Sequence, residues 1–167
     1  MKKLNIGFLA LSLVLLIFST SSLAASGPKP IDSLKSYDIV KTSPSDTFII
    51  DVRTRAEYQF VGHPDLPSGV PNIPLKFYPS WEINKNFVKD VKARYKKDDT
   101  IITLCRSGVR AEVAAKLLLD AGFIKVFYMT DSFEGAKTDV DGHRTVEGWK
   151  VNGLPYTYEL KGDLVYK

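Results

Sequence analysis

The chain has 167 residues, 44% hydrophobic and 25% charged, which fits one globular domain with a sizeable core. Its 23 basic residues, two of them Lys2 and Lys3, face 19 acidic ones with no basic tract, so composition gives no footing for a nucleic-acid partner. A single cysteine excludes a disulfide framework within the chain.

Lys2 and Lys3 precede an apolar run, Ile6 to Phe18, that is short of the about 20 residues a membrane span needs. Small residues follow, and Ser22-Leu23-Ala24 suits a signal peptidase. The pattern predicts a cleaved secretory signal over 1–24, a single mature domain over 25–167 and a periplasmic or secreted location. It predicts no stable membrane insertion of the mature chain. No cysteine stands near the cleavage point, so the leader is not of the lipid-anchored kind.

"SLKSYDIVKT", 33–42, reads as a first helix capped by Ser33. "TFIIDV", 47–52, is β-branched and apolar after a turn cluster and reads as a buried strand. Thr54 and Glu57 form a capping box and predict a short helix over "TRAEYQFV". "GHPDLPSGVPNIP" holds four prolines and two glycines, so it is a long loop, with a brief strand expected near Ile73. "NKNFVKDVKARYKKDD" places Phe87, Val88, Val91 and Tyr95 at helical spacing. "DDTIITLC" turns continuously apolar, the pattern of a central strand buried on both faces. "VRAEVAAKLLLDAGF" is a helix ending at Gly122, and "KVFYMT" a further strand. The 131–155 stretch is an ordered Gly- and Asp-rich loop pinned by Trp149 and Leu154. The tail, 156–167, alternates about Lys161-Gly162-Asp163 and predicts a hairpin. Strands alternating with helices imply an open α/β sheet, mostly parallel, with helices on both faces.

Cys105 therefore falls at the carboxyl end of a buried strand, just before a helix, where open α/β sheets bind ligands. The turn "CRSGVR" brings backbone N–H groups together with the unpaired N–H groups of a helix start, a cradle for an anion. Arg106 and Arg110 add positive charge, and Ser107, Gly108 and Val109 complete the loop. Gly108 suits the tight curve. A thiolate is stabilised in such surroundings, whereas buried structural cysteines lack them.

"IIDVRTRAEY…GH…NIPL", "IITLCRSGVRAEVAAKLLLDAGF" and "GW…GLP" together resemble a rhodanese-like domain. The resemblance runs from about Ser33 to Pro155. It implies a parallel sheet of about five strands and a sulfurtransferase of the thiosulfate type. Cys105 would be the catalytic nucleophile that becomes a persulfide. Arg106, Ser107, Gly108, Val109 and Arg110 would be the substrate-binding loop, with Arg110 closing it on the anion. Asp51 and Arg53 match the family's DVR and would be supporting residues, Asp51 accepting hydrogen bonds near the loop and Arg53 pairing with Glu57 or with loop carbonyls. The resemblance implies no cofactor and no metal. Its partners would be a small anionic sulfur donor and a thiol or protein acceptor.

Two rival readings belong beside this one. The domain could hold sulfur for a partner protein with little turnover of free substrate. It could also be a cysteine-dependent phosphatase or arsenate reductase, although relatives of that kind carry one more residue in the loop. His63 has an architectural reading. His143 and Arg144 lie in the long loop, and "DVDG", 139–142, lacks the full ligand spacing of a calcium loop.

Overall fold

The computed structural model describes residues 27–167, so the secretory signal expected over 1–24 lies outside the described residues. In chain order the elements are β1 (Lys29–Ile31), α1 (Ser33–Thr42), β2 (Thr47–Asp51), α2 (Arg55–Val61), β3 (His63–Pro64), α3 (Phe87–Lys92), β4 (Thr100–Leu104), α4 (Val109–Asp120), β5 (Lys125–Met129) and β6 (Tyr156–Thr157). The main sheet has the order β1-β5-β4-β2, with every pair parallel. No helix among the described residues is long and apolar enough to cross a membrane.

The two inner strands explain the layering. Side chains alternate across a sheet, so consecutive isoleucines serve opposite faces. Ile50 and Ile101 pack with Ala111, Ala114, Ala115 and Leu118 of α4 and with Phe87 and Val91 of α3. Ile49 and Ile102 pack on the other side with Val40 of α1, Met129, Phe133 and Trp149. Small alanines on α4 let that helix lie close to the sheet, and this brings its first turn to the end of β4.

Several expectations are corrected. The fifth strand is reduced to one parallel bridge, Asp51 with Asn72, at the outer edge of β2. Pro71 and Pro74 flank it and supply no N–H to extend a ladder. The cap of α1 is Asp32, whose carboxylate accepts from the Lys35 N–H at 2.8 Å. Ser33 instead donates its hydroxyl to buried Asp131 at 2.5 Å. Helix α3 stops at Lys92, although Tyr95 still packs against the core. The terminal hairpin does not form: β6 pairs antiparallel with β3, and Tyr166 donates its hydroxyl to Asp90 at 2.9 Å. Tyr166 packs on Phe77 and the Leu164 carbonyl accepts from the Asn72 N–H at 2.8 Å, while Tyr156 and Tyr158 meet edge to face. The capping box of α2 is present in both directions.

Trp149 is fully buried, edge-on to Tyr37 at 5.7 Å, and its indole N–H donates to the Pro155 carbonyl at 2.7 Å. Replacing it with Ala removes the largest side chain of its core and leaves that carbonyl with the Asp65 N–H alone. Trp149→Ala is expected to cost about 3–5 kcal/mol in urea denaturation. It should also speed proteolysis within 136–148, which limited digestion would detect.

Candidate active site

Cys105 follows β4 directly and is 1% exposed. The loop after it is held by its carbonyls. The Phe133 N–H donates to the Cys105 oxygen at 3.0 Å, and the Glu134 and Gly135 N–H groups donate to the Arg106 oxygen at 2.9 and 3.1 Å. A trans peptide points its N–H opposite to its carbonyl, so tying these two oxygens to the 133–135 segment turns the Arg106 and Ser107 N–H groups the other way. Among the described residues the N–H groups of Arg106, Ser107, Val109 and Arg110 find no protein acceptor. The Gly108 N–H reaches the Cys105 Sγ at 3.2 Å.

Gly108 fits only as glycine. Its φ is +94°, and a Cβ there would collide with the Thr130 carbonyl at the end of β5. That close approach seats the start of α4 against the sheet. The Gly108 N–H thus meets the thiol where α4 begins, and unpaired N–H groups stand on the residues either side of it, Arg106, Ser107, Val109 and Arg110.

The two arginines of the loop have different fates. Arg110 forks onto Glu57, Nη1 to Oε2 at 2.7 Å and Nη2 to Oε1 at 2.6 Å, with both side chains mostly buried. Its charge is matched by a carboxylate. The Trp81 ring lies 5.7 Å from its guanidinium. Burial opposes the charge on Arg110, and Glu57, then Cys105 and Asp51, raise its pKa regardless. Arg106 is exposed and forms no ion pair among the described residues. Ser107 is half-buried and Val109 is 72% exposed at the rim.

Asp51 and Arg53 are both fully buried, with Nη2 on Oδ2 at 2.6 Å and the Arg53 N–H on Oδ1 at 3.0 Å. Arg53 also donates to the Gly62 carbonyl at 2.7 Å. The expected pairing of Arg53 with Glu57 is absent because Glu57 is committed to Arg110 and to Thr54. The guanidinium carbon of Arg53 lies 4.1 Å from the centre of the Phe133 ring. Phe133 is the residue whose N–H holds the Cys105 carbonyl, so the pair supports the loop from behind.

His63 stacks on Tyr58 at 3.9 Å and takes no part in the site. His143 is exposed and pairs with Asp141 at 3.1 Å. No group of residues able to hold a metal ion occurs among the described residues. Two participants escape the sequence. Glu57 is legible as a capping residue but not as the partner of Arg110. Ser132 sits in "TDSFEG", where nothing marks it, yet its hydroxyl accepts the Cys105 N–H at 3.1 Å.

A family model for the rhodanese-like domain matches residues 36–139. An uncharacterised protein of Rickettsia rickettsii is 35% identical over 130 residues, covering 77% of this chain and 96% of its own. Rhodanese-like domain-containing protein 17 of Arabidopsis thaliana is 34% identical over 128 residues, covering 75% and 80%. The crystal structure of Rv0390 from M. tuberculosis superposes with a TM-score of 0.72 at 33% identity, covering 80% of this chain and all of its own. The polysulfide-sulfur transferase homodimer of Wolinella succinogenes shares the fold, with a TM-score of 0.54 at 19% identity over 78% of each chain.

The Glu57–Arg110 pair has a pH signature. Burial raises the Glu57 pKa, but the hydrogen bonds and charge of Arg110, joined by Thr54, outweigh it and bring it from 4.5 to about 2. A depressed carboxylate stabilises the fold above its unfolded value and loses that contribution as pH falls through its folded one. Stability in urea should therefore drop between pH 4.5 and about 2. Glu57→Gln should be less stable at neutral pH and flatter across that window. A constant offset from wild type through the window would contradict the pairing.

Proposed function

The chain belongs to the rhodanese-like domain family, and from that premise we propose that it is a sulfurtransferase carrying sulfane sulfur on Cys105. The observation that supports this most is the six-residue turn itself. Its first two carbonyls are tied away, four of its N–H groups find no protein acceptor among the described residues, and a fifth, that of Gly108, meets its one thiol.

The donor is an anion with a terminal sulfane sulfur, thiosulfate being the simplest. The Cys105 thiolate attacks the outer sulfur of thiosulfate. The bond between the two sulfurs of the donor breaks, and sulfite departs with the electron pair. The new persulfide is held by the loop N–H groups. An acceptor thiolate or cyanide then attacks the outer sulfur, and Cys105 leaves as thiolate. This is a double displacement with ping-pong kinetics. It calls for no cofactor. The fold neighbour from Wolinella is a polysulfide-sulfur transferase, and polysulfide is a donor of the same charge class.

The arginines divide the work. Arg110, matched by Glu57, shapes the loop. Arg106, exposed and unpaired, draws the anion in. We place the reaction in the periplasm or outside the cell, after removal of residues 1–24. The burial of Cys105 under a rim bearing exposed Val109 and Trp81 favours a second form of the same chemistry, in which the acceptor is a protein thiol.

Intact mass of the protein isolated from its cells tests the proposal. The expected mass begins at Ala25. Thiosulfate should add one sulfur atom, cyanide should remove it as thiocyanate, and Cys105→Ser should show neither step. Arg106→Ala should raise the KM for thiosulfate about tenfold, the worth of one charge-assisted hydrogen bond, with kcat little changed. Sulfur uptake without discharge to cyanide, but with discharge to a protein thiol, would select the carrier form. No uptake, with hydrolysis of an aryl phosphate, would overturn the proposal.

A further inference from the structure

Ser132 is fully buried and stands just beyond β5 with φ at +51°, a left-handed conformation uncommon for a residue with a Cβ. Such strain persists only where the surroundings impose it, and it gathers at functional sites. Here the surroundings are specific. The Ser132 carbonyl accepts from the Trp149 N–H at 2.8 Å. Its hydroxyl oxygen accepts from the Cys105 N–H at 3.1 Å, and its hydroxyl proton goes to the Met129 carbonyl at 2.7 Å. The same oxygen lies 3.8 Å from the Cys105 Sγ.

A hydroxyl has one proton and rotates freely to place it. At 3.8 Å the sulfur lies at the outer edge of its reach, and the Met129 carbonyl is the nearer acceptor. The preference inverts when the sulfur is ionised, because a hydrogen bond to a charged acceptor is roughly twice as strong as a neutral one. The Gly108 N–H already approaches that sulfur from the loop side at 3.2 Å. Ser132 comes from the end of β5, so the two donors reach the sulfur from separate elements.

We infer that Ser132 is a positioning residue for the reaction, whose hydroxyl turns from the Met129 carbonyl to the Cys105 sulfur when that sulfur becomes a thiolate. It also fixes the Cys105 backbone through the N–H it accepts. With that backbone the hydroxyl reaches both the Cys105 N–H and its sulfur while the carbonyl meets the Trp149 N–H. The inference rests on reading Cys105 as the reacting nucleophile.

Two variants separate hydroxyl from backbone. Ser132→Gly loses the hydroxyl and relieves the left-handed strain. Ser132→Ala loses the hydroxyl and keeps the strain, so it should unfold at lower urea than Ser132→Gly. Both should react with iodoacetamide at Cys105 about tenfold more slowly than wild type at neutral pH, with the alkylation profile displaced to higher pH. Both should lower kcat for sulfur transfer while the KM for thiosulfate holds. A common loss of reactivity in two proteins of different stability is the signature of the hydroxyl. Wild-type alkylation and turnover in Ser132→Gly would overturn the inference and leave Ser132 a turn residue. Alkylation needs no sulfur donor, so slowed alkylation in a protein whose wild type takes up no sulfur would uphold Ser132 and reject the sulfurtransferase reading instead.

Discussion

Three backbone N–H groups, those of Phe133, Glu134 and Gly135, hold the carbonyls of Cys105 and Arg106, and the rest of the site follows from that hold. Peptide planarity converts two tethered oxygens into two N–H groups facing the opposite way. Gly108 adds a third toward the sulfur, and its missing side chain lets the loop lie against Thr130. The tether needs the 133–135 segment to be rigid. Trp149 in the core, and the buried Asp51–Arg53 pair behind Phe133, supply that rigidity from two directions. The pair suits this duty. An ion pair out of water is costly unless its geometry is good, and here both carboxylate oxygens are engaged and the guanidinium also reaches Gly62.

Charge in the loop is arranged by distance from solvent. Two arginines in one six-residue turn would suggest a doubly cationic pocket, yet the inner one is neutralised. Glu57 forks Arg110 at 2.6 and 2.7 Å and fixes it where α2 meets the loop. A guanidinium left unpaired at that depth would be expensive to keep charged. Arg106 stays in solvent, where a charge costs little and screening by salt weakens its pull. The thiol has the Gly108 N–H at contact range, 3.2 Å, while the unpaired Arg106 stays exposed.

Much of this was legible in the residues. The continuous apolar run of β4 and the turn "CRSGVR" followed by an alanine-rich helix place the thiol at a strand end. The capping box at Thr54 and Glu57 marks the start of α2. What was hidden depends on contacts between distant residues. Strand β1 has three residues and exists because β5 pairs with it, so no local pattern announces it. The tail alternates like a hairpin, but its best partner is β3, far back in the chain. Glu57 and Arg110 are 53 positions apart, and the capping role of Glu57 was sufficient reason for its presence. Ser132 is a small polar residue in a polar stretch, and only its backbone angle and its neighbours set it apart.

The central claim is that the loop N–H groups exist to hold a sulfur atom beyond Cys105. A crystal structure of the protein after thiosulfate treatment tests it most directly. The account predicts one added atom on the Cys105 Sγ, inside the turn, within hydrogen-bond reach of the Arg106 and Ser107 N–H groups, with Arg110 still forked on Glu57. An added sulfur pointing away from the loop, or a loop whose carbonyls have left residues 133–135, would contradict it.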